Sequence, residues 1–166
     1  MKNICRITLM LFAFCILLTG CCSANMTADD MAFKLLNLYP SLPPATQYVK
    51  NGRKYEVGYL SPEQFGYLYT GETVRLPEWD KIEDFRLILS DATAFFEIHV
   101  IRTKTASDAD EVAKLLHRRA RLLTFHNKMN EDYPAEDPLV YVNGRYAVLV
   151  ATYDNEAARR LLEKLL

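Results

Sequence analysis

The chain has 166 residues with 20 basic and 21 acidic side chains, which gives a formal net charge of −1 at pH 7. Because nucleic-acid binding depends on neutralising phosphates, this charge balance excludes nucleic acid as an expected partner. All four cysteines lie near the N-terminus, at Cys5, Cys15, Cys21 and Cys22. The rest of the chain therefore offers no thiolate metal site, disulfide framework or cysteine nucleophile.

The N-terminus has the layout of a secretory signal. Lys2 and Arg6 precede an uncharged apolar run over 7–18, which is shorter than the ~20 apolar residues of a membrane span. The run ends in Leu18-Thr19-Gly20-Cys21, which resembles the lipobox of bacterial lipoproteins. The resemblance implies cleavage between Gly20 and Cys21, a diacylglycerol on the Cys21 thiol, and a place on the outer face of the cell membrane. The alternative is an ordinary cleaved signal with incidental cysteines.

Three parts follow from this layout: a signal peptide over 1–20, a short lipidated tether over 21–27, and one folded domain over 28–166. The domain is long enough to bury a single core. A flexible tether of about six residues reaches only ~15 Å, so we expect the domain to stay close to the membrane.

The first half of the domain predicts two short helices and a hairpin. Thr27 can cap a helix that ends at Pro40, and Ser61-Pro62 can open a second one that stops at Gly71. Asn51-Gly52 predicts a tight turn between strands at 46–50 and 53–59, although a loop with one short strand is the alternative.

The second half predicts two successive hairpin-and-helix units. The first has strands over 85–89 and 94–103 and a helix over 108–130 capped by Ser107 or Asp108. The second has strands over 139–142 and 145–151 and a helix from Asp154 or Asn155. Together they predict an α+β fold: a four-stranded, mostly antiparallel sheet with both helices on one face. The N-terminal helix and a tyrosine-rich segment over 48–79 are expected to dock around this sheet.

The order of elements, a lipobox followed by two strand-and-helix stretches, resembles domain of unknown function 4358. The stretches that carry this resemblance are 96–104 with 108–112 and 143–150 with 156–158. That family consists of small lipoproteins of Gram-positive bacteria. The resemblance covers roughly 28–166 and implies a lipoprotein of unassigned activity, with no functional residue to carry over.

Glu97 and His99 are the first candidates for chemistry. Two residues apart on one strand, they point the same way and could act as a carboxylate–imidazole pair, or simply form a solvated strand face. A cell-wall hydrolase would need Glu97 and a second carboxylate, which the 72–84 loop could supply.

Metal and cofactor sites are not expected. His117 and His126 are nine residues apart on the long helix, too far along its axis to share a metal, and no known metal or phosphate-binding motif occurs. Arg118, Arg119 and Arg121 favour a solvated helix side, with contact to anionic lipid headgroups as the alternative. The aromatic residues of 48–79 are interpreted as core, or else as a surface for cell-wall sugars or a protein.

The alternation of the strands predicts which sheet face is open. Phe96, Ile98 and Val100, with Phe85, Leu87 and Leu89, are expected to lie under the helices. The opposite face would then present a mixed apolar and charged surface formed by Phe95, Glu97, His99, Ile101, Arg86 and Ile88. Such a composition is typical of a recognition surface for a protein partner or a second copy. The sequence thus predicts a membrane-anchored, non-enzymatic binding or accessory module, with the cell-wall hydrolase as the alternative.

Overall fold

The structure, a computed structural model, describes residues 26–54, 56–91, 96–129 and 137–166. In chain order its elements are α1 (Ala28–Leu36), β1 (Ala45–Val49), α2 (Pro62–Thr70), a 3₁₀ helix (Pro77–Lys81), β2 (Ile82–Ser90), β3 (Glu97–Thr103), α3 (Ala106–Met129), β4 (Leu139–Asn143), β5 (Tyr146–Ala151) and α4 (Asn155–Leu165). The predicted signal peptide, with Gly20 and Cys21, lies outside the described residues.

The fold is α+β, as predicted, but its antiparallel sheet has five strands in the order β1-β2-β3-β5-β4. The additional strand is β1, which pairs with β2 from Ala45 opposite Ser90 to Val49 opposite Arg86. The hairpin predicted at Asn51-Gly52 is wrong. Instead, the Val49 N–H donates a 3.0 Å hydrogen bond to the Gly58 carbonyl oxygen, and Val49 forms one parallel bridge with Tyr59.

Helices cover both faces of the sheet, so the prediction that they share one face is wrong. On one face, α2, α3 and the 3₁₀ helix pack over Phe85, Leu87 and Leu149. On the other, α1 and α4 pack over Ile98 and Val148. The physical reason lies in the central strands. Every residue of β5 is buried, and an apolar strand with two apolar faces needs cover on both of them.

The register between β2 and β3 differs from the predicted grouping of side chains. Leu87 lies opposite His99 and Ile88 opposite Ile98. Because directly opposed residues project from the same face, Leu87 shares its face with His99 and not with Ile98. A shift of one residue in pairing exchanges the two faces of a strand, and no local sequence signal fixed that shift here.

Three helix starts follow from capping chemistry, and one predicted start is displaced. Thr27 and Ser61 each form a complete capping box, and Asp154 caps α4 by accepting the Ala157 N–H at 2.9 Å. The long helix is capped by Thr105 and not by Ser107 or Asp108. The Thr105 hydroxyl accepts the Asp108 N–H at 3.2 Å, while the Asp108 carboxylate accepts the Thr105 N–H at 3.1 Å.

The tyrosine-rich segment contributes three aromatic residues to the core. Phe65, Tyr69 and Trp79 are buried in the α3-side cluster, and the Phe65 ring lies 4.7 Å from the Tyr69 ring and 5.3 Å from the Trp79 ring. Gly66 allows the chain that follows α2 to approach closely, because a Cβ at this position would lie 1.8 Å from the Val74 carbonyl oxygen. Tyr67 points outward and is 61% exposed.

Candidate functional site

The predicted recognition surface is not an open face, and that prediction is wrong. Glu97, His99 and Ile101 are buried beneath α2 and α3. Arg86 and Ile88 lie on the opposite face, where Ile88 is buried in the cluster formed by α1 and α4. The six predicted residues therefore do not form one surface, and Phe95 lies outside the described residues.

Glu97 and His99 belong instead to a buried polar cluster completed by Tyr69 and Arg119. The Tyr69 hydroxyl lies 2.7 Å from His99 Nδ1, and His99 Nε2 lies 2.9 Å from Glu97 Oε2. Arg119 contacts both oxygens of Glu97, with its Nε 2.9 Å from Oε2 and its Nη2 against Oε1. We call these four residues the Tyr-His-Glu-Arg cluster.

The contact between His99 and Glu97 is close but not well aligned. Although the 2.9 Å separation is within ion-pair range, Nε2 makes no hydrogen bond of acceptable geometry. The contact is therefore mainly electrostatic, whereas the two-point contact between Arg119 and Glu97 is a charge-assisted pair. The Arg119 side chain also reaches the Leu68 carbonyl oxygen, 3.4 Å from Nη1.

Burial and charge pairing fix the protonation states of the cluster. Burial raises the pKa of Glu97, but the hydrogen bonds from Arg119 and the close contact with His99 outweigh this effect and lower the pKa to about 2. Burial lowers the pKa of His99 despite the adjacent Glu97 carboxylate. Burial also raises the pKa of Tyr69 well above its usual value. At neutral pH the cluster thus holds an ionised Glu97–Arg119 pair beside a neutral imidazole and a neutral phenol.

This arrangement is suited to structure and not to acid–base catalysis. A general acid needs a pKa near the working pH and access to the substrate, and Glu97 has neither, since it is 5% exposed. Of the carboxylates in the predicted 72–84 loop, Asp84 does not converge on it. Asp84 pairs with Arg102 at the other end of β3, about 17 Å along the strand from Glu97. Glycosidase carboxylates are ~5–10 Å apart.

Sequence reasoning missed Tyr69 and Arg119, although both carried a signal. Arg119 lies three residues after Leu116 and four before Leu123, which are both buried. It is therefore the arginine of 118–121 that falls on the apolar side of α3. Tyr69 follows the buried Phe65 by one helical turn. A charged or polar residue in phase with an apolar stripe predicts a buried partner, and Glu97 is that partner for Arg119.

His117 and the other arginines of α3 lie at the surface. His117, Arg118 and Arg121 are exposed, and the side chain of His126 lies outside the described residues. Within the ranges that the structure covers, no group of three or more potential metal ligands occurs.

A cleft lies at the end of the sheet where β3 begins. Its volume is about 360 Å³, within the range of ligand pockets. It is lined by Leu36, Asn37, Tyr39, Pro40, Leu42, Pro43, Ala45, Gln47, Ile88 and Phe96. The Tyr39 hydroxyl donates a 2.8 Å hydrogen bond to the Asp154 carbonyl oxygen. Most of the lining residues are apolar, but polar atoms, including the Asn37 and Gln47 amides, make up at least half of the exposed wall, and the lining includes no carboxylate.

Comparison with known proteins found no match: no family model, no curated protein and no solved structure is similar to this chain.

Proposed function

We propose that the chain is a lipid-anchored extracytoplasmic module that binds or assists another molecule and has no catalytic activity of its own. The lipobox-like ending at Cys21 supports the anchor, and the resemblance to the lipoprotein family stated above agrees with it. Within the described part of the chain, no helix is long and apolar enough to cross a membrane.

One observation carries the non-enzymatic part of the proposal. Glu97, the carboxylate that a hydrolase would use, is buried and ion-paired with Arg119, and its pKa is lowered to about 2. The cleft, by contrast, is open and of ligand-binding size. Its lining residues include no carboxylate or imidazole that could transfer a proton, so they are suited to binding. Binding at this cleft is the activity that the geometry supports best.

The anchor is tested by Cys21→Ser. Because a serine hydroxyl does not accept the diacylglycerol, we expect the variant to leave the membrane fraction or to remain unprocessed. Cys22→Ser is the matched control, since Cys22 follows the cleavage position and should fractionate as the wild type does. Immunoblots of membrane and soluble fractions, with mass spectrometry of the N-terminal peptide, measure the outcome. Normal maturation and membrane association of Cys21→Ser would refute the anchor.

The absence of catalysis is tested with isolated peptidoglycan and the lipidated chain in detergent. We expect no release of soluble sugar or peptide fragments above that of the Glu97→Gln variant. Glu163→Gln, at an exposed position of α4, is the control for removal of a carboxylate. Fragment release by the wild type and by Glu163→Gln, but not by a folded Glu97→Gln variant, would establish the hydrolase instead.

A further inference from the structure

The point at which the chain enters the folded domain is fixed by side chains of the sheet. The Met26 carbonyl oxygen accepts hydrogen bonds from the Tyr146 hydroxyl and, at 3.5 Å, from Arg102 Nη1. Tyr146 is buried, and Thr27 caps α1 immediately afterwards. The chain from Cys21 therefore joins the folded domain at Met26, which leaves residues 22–25 between the lipid and the domain.

This entry point lies at one end of the sheet. Arg102 is near the end of β3 and Tyr146 begins β5, and the Thr103 N–H donates a 2.8 Å hydrogen bond to the Arg145 carbonyl at the same end. The cleft lies at the other end, because Phe96 precedes β3. A strand of seven residues separates the two ends by about 20 Å. The 24 residues of α3 extend about 36 Å from the entry end.

The tether is too short to let the domain turn over. The five Cα–Cα steps from Cys21 to Met26 span at most ~18 Å. We propose that the end of the sheet formed by Met26, Arg102 and the β4–β5 turn faces the lipid surface. The cleft is then presented away from the membrane. This proposal rests on the lipid anchor proposed above, and it adds the orientation of the domain and the direction in which the cleft faces.

The charges at the entry end indicate that the tether, and not electrostatic attraction, sets this orientation. Arg102 and Arg145 both pair with Glu83, at 3.2 and 2.9 Å, and Lys81 pairs with Glu111. These pairs leave little excess positive charge for anionic headgroups. The exposed Arg118 and Arg121 lie about 18 to 22 Å along α3 from its first residue. They are therefore too far from the entry end to reach headgroups.

The orientation can be measured because residues 23–166 contain no cysteine. In a Cys22→Ser background, single cysteines are introduced by Asn143→Cys, beside the β4–β5 turn, and by Ser41→Cys, beside the cleft. Both positions are exposed, and both substitutions leave the net charge unchanged. The lipidated full chain is labelled with a fluorophore, and reconstituted into phosphatidylcholine vesicles whose headgroups carry a nitroxide quencher.

We expect quenching at position 143 to exceed that at position 41 several-fold, with the same ratio when phosphatidylglycerol is added. Equal quenching, or stronger quenching at 41, in protein that floats with the vesicles would overturn the orientation and leave the anchor intact. Quenching at 41 that rises only with anionic lipid would show that charge orients the domain, which also overturns the proposal. Failure of the lipidated chain to float with vesicles would reject anchor and orientation together.

Discussion

Replacing Arg119 by methionine is expected to lower the free energy of unfolding at pH 7 by about 3–5 kcal/mol. The substitution keeps the apolar stem that packs on α3 but removes the positive charge that pairs with Glu97. The carboxylate would then be 5% exposed without its strongest partner, and only the His99 imidazole would remain in contact with it. Urea unfolding followed by far-UV circular dichroism measures the loss.

Two comparisons separate this effect from a general sensitivity of α3. Arg118→Met, one residue away on the exposed side of the helix, should change stability by no more than about 0.5 kcal/mol. Adding Glu97→Gln to Arg119→Met should recover part of the loss, because a buried amide costs less than an unpaired buried carboxylate. If Arg119→Met is as mild as Arg118→Met, the buried ion pair does not stabilise the fold.

The stability of the wild type is expected to fall in acid in two stages, both caused by the Tyr-His-Glu-Arg cluster. Burial lowers the pKa of His99 in the folded state, so the unfolded chain takes up this proton first and stability begins to fall below about pH 6.5. Glu97 has a folded pKa of about 2 against a usual 4.5. Its contribution is complete above pH 4.5 and is lost as the pH falls to about 2. That contribution is about 3 kcal/mol, of which about 2 is lost by pH 3.

The double variant Glu97→Gln with Arg119→Met serves as the reference for the second stage. It has no carboxyl at position 97, so its stability should decline less than that of the wild type between pH 4.5 and pH 3. Other carboxylates titrate in both proteins. The pKa of Asp84 is raised mainly by burial, so its protonation in acid favours the folded state in both proteins. The difference between the two urea-unfolding curves therefore reports the Glu97–Arg119 pair together with its effect on His99. Parallel acid declines would contradict the lowered pKa.

Helix starts were the most predictable part of the structure, because capping depends on residues three positions apart. Thr27, Ser61 and Asp154 each cap the helix that the sequence assigned to them. The displaced start of α3 has the same explanation, since Thr105 and Asp108 satisfy two backbone N–H groups together and outcompete Ser107. Strand positions in the second half and the α+β class followed from apolar runs and turn residues in the same local way.

The faces of the sheet were decided only by tertiary pairing. Alternation along β3 leaves its two faces nearly equivalent, since Ile98 and Ile101 lie on opposite faces and both are fully buried. The register with β2 placed Leu87 beside His99, and β1 paired with β2 although its local sequence suggested a different hairpin. The first of these pairings joins residues 12 positions apart and the second joins residues 37 to 45 positions apart, so the pattern within one strand encodes neither.

The nature of the candidate site was likewise a tertiary result. The sequence by itself placed Glu97 and His99 on one side of a strand and predicted the anchor at Cys21. It did not indicate that α2 would bring Tyr69, and α3 Arg119, onto that side and bury all four groups. Local spacing determines which side chains point the same way. Whether a pair of titratable groups meets solvent or an arginine depends on which helix covers it, and that choice is made by packing across the whole sheet.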